Sequence, residues 1–353
     1  MGKKVRKEKE KEKEKNGLPR VSICTPTFNR RPFFKGLIDS INAQTYPKDK
    51  IEWIIVDDGT DKIEDLVKDI PFVKYFYTDK MPLGRKRNFM HDSCSFKNDD
   101  DIIIYFDDDD YYPRERISHA VEKLTGSSAL CAGSSEIYIW FNTLNKMYRF
   151  GPYGPNHSTA GTFAFKRELL KQTSYENDAL LAEEKHFLKN YTIPFVQLDP
   201  LKTILVISHE QNTFDKRRLI SPDNKQCNES SLKPQNFIKG AELFNFYIEE
   251  VPKLLTTYEP GNVLNKPDVL AEINRIDKER QKQQQNQNQG LPQVVTKNPD
   301  GSTRVLQPHE IIQALQKVTS ENLEIKKQND FLQSKLSIMQ QIIQRNELQN
   351  FFI

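Results

Sequence analysis

The sequence of 353 residues lacks several features that would define a class at once. No run approaches the roughly 18–20 uncharged apolar residues that cross a bilayer, so we expect no transmembrane segment. The N-terminus has no apolar signal-peptide core, so we expect a cytoplasmic protein. The four cysteines lie far apart, which excludes the close pairs of a structural zinc site and favours reduced, structural thiols.

An excess of positive charge is absent from most of the chain. The formal net charge is +3, but residues 1–15 alone hold eight Lys or Arg and four Glu. The remainder is close to neutral, and its basic residues are interspersed with acids. The sequence therefore predicts no nucleic-acid partner.

Apolar residues are scarce for a single compact body, at 37% against 29% charged. We therefore predict four regions with different roles. They are a charged disordered tail over 1–17, a globular domain over 18–250, a helical segment with a Gln-rich linker over 251–308, and a coiled-coil helix over 309–353. The linker prediction rests on the polar run QKQQQNQNQG at 281–290.

A heptad pattern runs through the last region. Its d positions are Ile311, Val318, Ile325, Leu332 and Met339, and its a positions are Leu315, Asn322, Asn329, Leu336 and Ile343. This spacing over more than four heptads predicts a coiled coil and hence a homo-oligomer. Asn at an a position fixes the register and favours two parallel strands, so we expect a parallel dimer, with a trimer as the next choice. The alternative is one amphipathic helix that packs on its own globular domain.

Short β-rich runs alternate with helical segments in the globular domain. Strands are predicted at 20–24, 51–56, 71–77 and 101–106, and helices at 32–43, 61–69 and 84–96. Such alternation predicts an α/β fold with a mostly parallel sheet flanked by helices. Ligands of such sheets bind beyond the carboxyl ends of the strands.

Polar residues follow the predicted strands at that edge. The first strand leads into TPTFNR, the second into Asp57-Asp58-Gly59, and the fourth into Asp107–Asp110. Four adjacent carboxylates repel one another unless a cation lies among them. Hard ions such as Mg²⁺ and Mn²⁺ bind through one or two carboxylates plus substrate phosphates. An acidic turn that caps the next helix would account for Asp110, but not for the whole run.

The order VSICTPTFNR, IIVDDGTD, GRKRN and YFDDDDYYP resembles that of family 2 glycosyltransferases, which have the nucleotide-sugar-binding GT-A fold. The resemblance covers about residues 21–220. It implies a Rossmann-like GT-A sheet, a Mn²⁺ or Mg²⁺ ion, and a nucleotide-sugar donor, with a UDP-sugar favoured. It also implies transfer of a hexose to an acceptor hydroxyl with inversion at the anomeric carbon.

The resemblance further implies roles for matching residues. Asp57 is similar to the acid that accepts a hydrogen bond from uracil, with Asp58 behind it. Asp109 resembles the direct metal ligand and Asp107 the first acid of the Asp-x-Asp motif, although the register within the four aspartates stays open. The remaining donor-binding residues implied in this way are Thr25, Pro26, Thr27, Asn29, Arg30, Gly84, Arg87, Asn88 and Asp108.

Two later motifs supply candidates for the base and for a third metal ligand. Glu183-Glu184 resembles the family's acidic pair, whose second acid deprotonates the acceptor hydroxyl; Asp is more typical at that position, so both glutamates stay candidates. His209 follows an apolar strand, and a neutral imidazole there would complete the metal's ligand set. Arg217, within the basic trio 216–218, would offset diphosphate charge.

Two other function classes are consistent with parts of the pattern. One is a catalytically weak nucleotide-sugar-binding protein whose role is assembly through the coiled coil. The other is a nucleotidyltransferase, which needs a Gly-rich triphosphate loop that TPTFNRR does not contain.

Overall fold

The computed structural model describes residues 17–221, 224–289, 295–297 and 300–350. The side chains of 283–289, 308 and 341–350 are outside this description. The predicted tail over 1–17 and the a-position side chain of Ile343 therefore lie outside the described residues, apart from Gly17. The chain divides into two compact units, Met1–Asp277 and Lys278–Ile353. The predicted boundary at 250 stays a prediction, while residues 251–277 belong to the first unit.

The elements within the described residues are as follows. The strands are β1 Val21–Thr27, β2 Ile51–Asp57, β3 Val73–Tyr77, β4 Ile102–Tyr105, β5 Cys131–Gly133, β6 Ile137–Phe141, β7 Lys146–Phe150, β8 Ala164–Lys166, β9 Phe195–Gln197, β10 Leu205–Ser208, β11 Cys227–Glu229, β12 Val295–Lys297 and β13 Thr303–Val305. The α-helices are α1 Phe34–Asn42, α2 Glu64–Val67, α3 Leu83–Ser93, α4 Arg116–Thr125, α5 Glu184–Phe187, α6 Pro234–Phe237, α7 Ala241–Asn245, α8 Val251–Leu255, α9 Pro267–Gln289 and α10 Pro308–Asn350.

The central sheet has the strand order β3-β2-β1-β4-β8-β5-β9. Strands β3, β2, β1 and β4 are parallel, whereas β8 runs antiparallel to both of its neighbours. The α/β prediction with a mostly parallel sheet is confirmed. Strand β1 lies between β2 and β4, so the connections beside it run to opposite sides of the sheet. Such a reversal opens a crevice beyond the carboxyl ends of β1 and β4.

The core follows from the alternation of side chains along the strands. Ile23, Trp53 and Ile104 belong to the apolar cluster on one face of the sheet. Cys24 and Ile54 belong to the cluster on the other face. Because both faces are covered, the strand residues form continuous apolar runs, which made these strands predictable.

The helix predicted over 61–69 is reduced to the single turn of α2. The backbone N–H of Asp61 donates to Asn29 Oδ1, and that of Ile63 donates to Asp57 Oδ2. These side chains compete with the first helical hydrogen bonds, so the segment before Glu64 forms a turn instead.

A second sheet, in the order β10-β6-β7-β11, lies within the same unit. Its residues Trp140, Leu205 and Ile207 pack with Phe246 and Tyr247 from the C-terminal helices of this unit. Strand β10 ends at Ser208, so this packing fixes the position of His209.

The second unit contains the β12–β13 hairpin and the 43-residue helix α10. The heptad positions fall on this one helix, and their side chains are exposed in the single chain, including Leu315 at 62%, Leu332 at 60% and Met339 at 64%. The helix is therefore present, while the coiled coil stays a prediction. Among the helices described, none is both long enough and apolar enough to span a bilayer.

Candidate active site

A cavity of about 220 Å³ opens beyond the carboxyl ends of β1 and β4. Three carboxylates and four basic groups line it together with apolar and hydroxyl side chains: Pro26, Thr27, Phe28, Arg30, Leu83, Lys86, Arg87, Asp107, Asp108, Asp109, Thr213 and Lys266. An adjoining cavity of about 170 Å³ shares Phe28, Lys86 and Lys266 and extends to Asp58. We call the two the strand-end cavity and the side cavity.

Asp109 lies beside His209 in the strand-end cavity. Asp109 Oδ2 is 3.2 Å from His209 Nε2, and the amide nitrogen of Asn212 is 2.8 Å from the same imidazole nitrogen. Burial lowers the pKa of His209 to about 4, so the imidazole is neutral near pH 7. Burial alone would raise the pKa of Asp109, but the contact with His209 and the charge of Lys216 hold it below its usual value.

The other three aspartates of the run have different surroundings. Asp108 Oδ1 is 3.8 Å from Arg30 Nε, and burial together with the charge of Asp109 raises the pKa of Asp108 to about 7. Asp107 lies against Gly161, where a Cβ atom would be 2.6 Å from Asp107 Oδ2. Asp110 instead accepts a hydrogen bond from Ile207 N at 2.9 Å and ties the run to β10.

The chemistry of Asp107 and Asp109 fits a hard divalent ion. Asp107 Oδ1 is buried and has no hydrogen-bond partner among the described residues. Among all the described residues, however, no three His, Cys, Asp or Glu side chains are arranged to hold a metal by themselves. The predicted trio of Asp107, Asp109 and His209 is thus not a complete ligand set. An ion of this kind needs only one or two carboxylates when substrate phosphates supply the rest.

The two aspartates at the end of β2, Asp57 and Asp58, have different contacts. The carboxylate of Asp57 accepts from Gly59 N, from Ile63 N and from the Tyr75 hydroxyl, so it shapes its own loop. Asp58 lines the side cavity, accepts from Met81 N at 3.0 Å and pairs with Lys86 Nζ. The resemblance implied that Asp57 contacts the base, whereas the structure brings Asp58 to the cavity.

The loop after β1 combines structural and cavity-facing residues. The Thr25 hydroxyl donates to Phe106 O and accepts from Trp53 Nε1, so it belongs to the core, whereas Pro26 and Thr27 line the cavity. Asn29 has a left-handed backbone with φ of 53°, and its Oδ1 accepts from the N–H groups of residues 60 and 61. Asn29 therefore joins the loops after β1 and β2.

The GRKRN segment forms the start of α3. A Cβ on Gly84 would lie 1.9 Å from Glu176 O, so glycine lets this helix approach the 176 loop. Lys86 and Arg87 reach the strand-end cavity, whereas the Asn88 amide donates to Tyr175 O and holds that loop. The sequence interpretation singled out Arg87 and Asn88 but missed Lys86, although its place within the same motif was a usable signal.

The two candidate bases have unequal environments. Glu183 is 5% exposed and accepts from Arg87 Nε at 2.7 Å, so its charge is already neutralised. Glu184 is half-buried at the start of α5 and has no ion-pair partner within the described chain. Burial and the charge of Glu183 raise the pKa of Glu184 to about 7. Of the two glutamates, Glu184 is therefore the one whose carboxylate is free to accept a proton, although neither lines the strand-end cavity or the side cavity.

Arg217 is not brought to either cavity. It is exposed and pairs with Asp215 at 2.9 Å, while the charge of its neighbour Lys216 acts on Asp107 and Asp109. Two residues that sequence reasoning missed, Phe28 and Lys266, line both cavities. Phe28 lies within the TPTFNR motif, but Lys266 follows the recognisable motifs by some 50 residues and carries no local signal.

Comparisons with known proteins give a family for the first part of the chain. Residues 22–180 match the family model described as Glycosyl transferase family 2. No curated protein matches the chain at a significant level.

Several solved structures resemble the chain at low identity. Mannosyltransferase PcManGT from Pyrobaculum calidifontis, in complex with GDP-Man and Mn²⁺, is 17% identical with a TM-score of 0.44, over 70% of this chain and 75% of that one. S. aureus TarS 1–349 is 16% identical with a TM-score of 0.45, over 81% and 96%. Its complex with UDP-GlcNAc is 16% identical with a TM-score of 0.43, over 65% of each chain. Values this low assign no residue roles to this chain.

The family match includes the polar segments that follow β1, β2 and β4, which contribute residues to the two cavities. These motifs sit on a mostly parallel α/β sheet flanked by helices, as the GT-A prediction requires. Residues 22–180, which are fewer than half of the chain, therefore match the family 2 glycosyltransferases, and this match indicates a glycosyltransferase activity.

Proposed function

We propose that the protein transfers a hexose from a UDP-sugar to an acceptor hydroxyl in a metal-dependent reaction that inverts the anomeric carbon. The strand-end cavity is the observation that carries this proposal. It brings three aspartates together with four basic groups at the edge of the sheet where ligands bind. A nucleoside diphosphate needs this combination, because cations neutralise its phosphates and carboxylates hold its counter-ion.

The side cavity suits the base of the nucleotide. The Phe28 ring forms one wall on which a flat base stacks, and Asp58 forms another. A carboxylate has about four lone-pair sites, so Asp58 retains acceptor capacity beside its bonds to Met81 and Lys86. The imide N–H of uracil is a donor for such a carboxylate, which supports UDP.

Asp109 and Asp107, with His209 beside Asp109, would hold Mn²⁺ or Mg²⁺, which supplies Lewis acidity to the departing diphosphate. The chain's own cations carry the remaining negative charge. Arg30 and Lys86 are almost fully buried at the cavity wall, at 4% and 5% exposure, so their positions are fixed before the substrate binds. Fixed charges of this kind stabilise developing charge without reorganisation.

Glu184 takes the proton of the acceptor hydroxyl. A base works best when its pKa lies near the working pH, and burial beside Glu183 brings Glu184 to this range. Glu183 and Arg87 form a pair that holds the start of α5. Attack from the face opposite the diphosphate then inverts the anomeric carbon.

The experiment that tests this function is a screen of nucleotide sugars for hydrolysis or transfer, with Mn²⁺ and with EDTA. We expect release of UDP from one UDP-sugar, loss of activity with EDTA, and loss in Asp109→Asn but not in Asp100→Asn, whose side chain is 88% exposed. Activity unchanged by EDTA would contradict metal dependence. Tight UDP binding without turnover would favour the assembly protein, and release of pyrophosphate would favour a nucleotidyltransferase.

We also propose that α10 pairs with a second copy of itself as a parallel coiled-coil dimer. No described residue covers the apolar heptad side chains from Leu315 to Met339, and each of them is more than half exposed to water. Asn322 and Asn329 supply the polar a positions that fix register in two-stranded coils. A trimer is the next choice. The cytoplasmic location stays a prediction.

A further inference from the structure

We propose that Lys266, which lies outside the family 2 domain, binds the diphosphate of the donor. This inference rests on the proposed function and deepens it. Lys266 belongs to the segment 258–268, which we call the strap. The strap precedes and begins α9, and Lys266 is the strap residue that lines both the strand-end cavity and the side cavity along with Phe28 and Lys86.

Contacts on both sides of Lys266 hold the strap against the strand-end loops. The Tyr258 hydroxyl donates to Asp61 Oδ2 at 2.8 Å. Asn29 Nδ2 donates to Pro260 O at 2.9 Å. Beyond Lys266, Lys80 Nζ pairs with Asp268 Oδ1 at 2.6 Å. The strap is therefore a fixed wall of the donor site, built from residues that follow the family 2 match by about 80 positions.

The four basic groups of the strand-end cavity differ in their partners. Lys86 pairs with Asp58, and Arg87 pairs with Glu183. Arg30 lies 3.8 Å from both Asp108 and Asp109. Each of these three cations therefore has a carboxylate of the protein beside it.

Lys266 differs, because no described carboxylate lies within ion-pair distance of its ammonium. Its ammonium donates to Thr213 Oγ1 at 2.9 Å and lies 5.2 Å from the centre of the Phe28 ring, and no described residue forms an ion pair with it. Burial and the nearby charge of Arg30 lower the pKa of Lys266 to about 7, so an anion bound beside the ammonium would favour its charged form.

The position of Lys266 identifies the class of anion. The side cavity reaches Asp58, where we place the base, and the strand-end cavity reaches Asp109, where the metal and sugar belong. Lys266 lines both, so the part of the donor nearest to it is the link between base and sugar. In a nucleotide sugar this link contains the diphosphate, and a lysine ammonium is a suitable point charge for a phosphate oxygen.

The test compares UDP with uridine in full-length protein by calorimetry with Mn²⁺. We expect Lys266→Gln to weaken UDP binding about 10- to 100-fold, the range for a charge-assisted hydrogen bond, and to leave uridine binding unchanged. Lys266→Arg should restore most of the loss. Lys253→Gln, at an exposed lysine of the same unit, is the control.

Each contrary outcome has a different meaning. Equal losses for UDP and uridine would make Lys266 a structural residue and overturn the inference. Wild-type UDP affinity in Lys266→Gln would overturn it as well, while the proposed function would stand. A wild-type protein that binds no nucleoside diphosphate would overturn the proposed function itself, and this inference with it.

Discussion

The two units of the chain differ in what they leave without a partner. In the first unit, buried charges are engaged by the protein itself, as Lys86 is by Asp58 and Arg87 by Glu183. In the second unit, helix α10 leaves its apolar residues exposed, for example Leu332 at 60% and Leu336 at 58%. The first unit thus pairs buried charges internally, whereas the second leaves the described apolar side chains of α10 exposed between Leu315 and Met339.

This difference shows what each unit needs from outside. Buried ion pairs stabilise a fold poorly, because the cost of desolvation offsets most of their attraction. Their concentration at the cavity edge of the central sheet therefore indicates a functional site. The exposed apolar residues along α10 indicate a surface that binds another protein chain. These two features are the basis of our proposals that the first unit binds a nucleotide sugar and that α10 pairs with a second copy of itself.

The largest expected effect concerns Glu184, the candidate base of the first unit. Glu184→Gln should lower the rate of UDP-sugar hydrolysis by about 10²–10⁴-fold, the usual contribution of a general base, with donor affinity little changed. Hydrolysis rates and UDP affinity measured on the same preparation check this. A loss confined to Glu183→Gln would assign the base to the other glutamate.

The second prediction breaks a buried pair. Lys86→Met should lower the free energy of unfolding by about 3–5 kcal/mol, because Asp58 is left as a buried charge without its cation. Lys35→Met is the matched control, since Lys35 pairs with Asp39 in an exposed i,i+4 position where the loss is below about 0.5 kcal/mol. Urea titration of both variants measures the difference. Similar losses would show that burial does not distinguish the pairs.

The third prediction concerns the exposed stripe. Leu332→Glu places a charge at a d position in every copy and should convert the dimer to monomer at micromolar concentration, because the seam then buries unpaired carboxylates. Ser334→Glu, on the outer face two residues later, should keep the dimer. Sedimentation equilibrium distinguishes monomer, dimer and trimer. A monomeric wild type would show that the helix has some other partner.

The smallest expected effect is a pH dependence of stability at Glu184. Its pKa in the folded protein is about 7, above the ordinary 4.5, so the folded state holds this proton more tightly than the unfolded state. The contribution of Glu184 to stability therefore falls as the pH rises from about 4.5 to 7. Above pH 7, Glu184→Gln should be more stable than the wild type by about 1–2 kcal/mol.

Unfolding at pH 5 and pH 8 measures this difference, with Glu242→Gln at an exposed position as the control. The gain at pH 8 should disappear at pH 5, where Glu184 is protonated. A gain of equal size at both pH values would show that packing, and not charge, sets the environment of Glu184.

Much of this fold was predictable because its parallel strands are buried on both faces and read as apolar runs. The carboxylates that follow β4 sit where such a sheet binds ligands, so Asp107 and Asp109 could be named from sequence. The same holds for α10, whose heptads require no knowledge of tertiary structure.

The remaining parts of the site depend on contacts between distant residues. Asp57 and Asp58 are neighbours in sequence, and only the hydrogen bonds from Gly59, Ile63 and Tyr75 show that the first is turned inward. Asp110 differs from its three neighbours because it binds the backbone of residue 207, almost a hundred positions away. No local pattern contains that information.

The strap has a consequence for how related enzymes diverge. The strap contributes Lys266 and Asp268 to the two cavities but contains none of the strand-end aspartates and neither candidate base. Recombination or insertion after residue 250 would therefore exchange this wall while every motif of the family 2 domain is inherited unchanged. If Lys266 binds the diphosphate as we propose, two descendants with identical motifs would then differ in donor affinity.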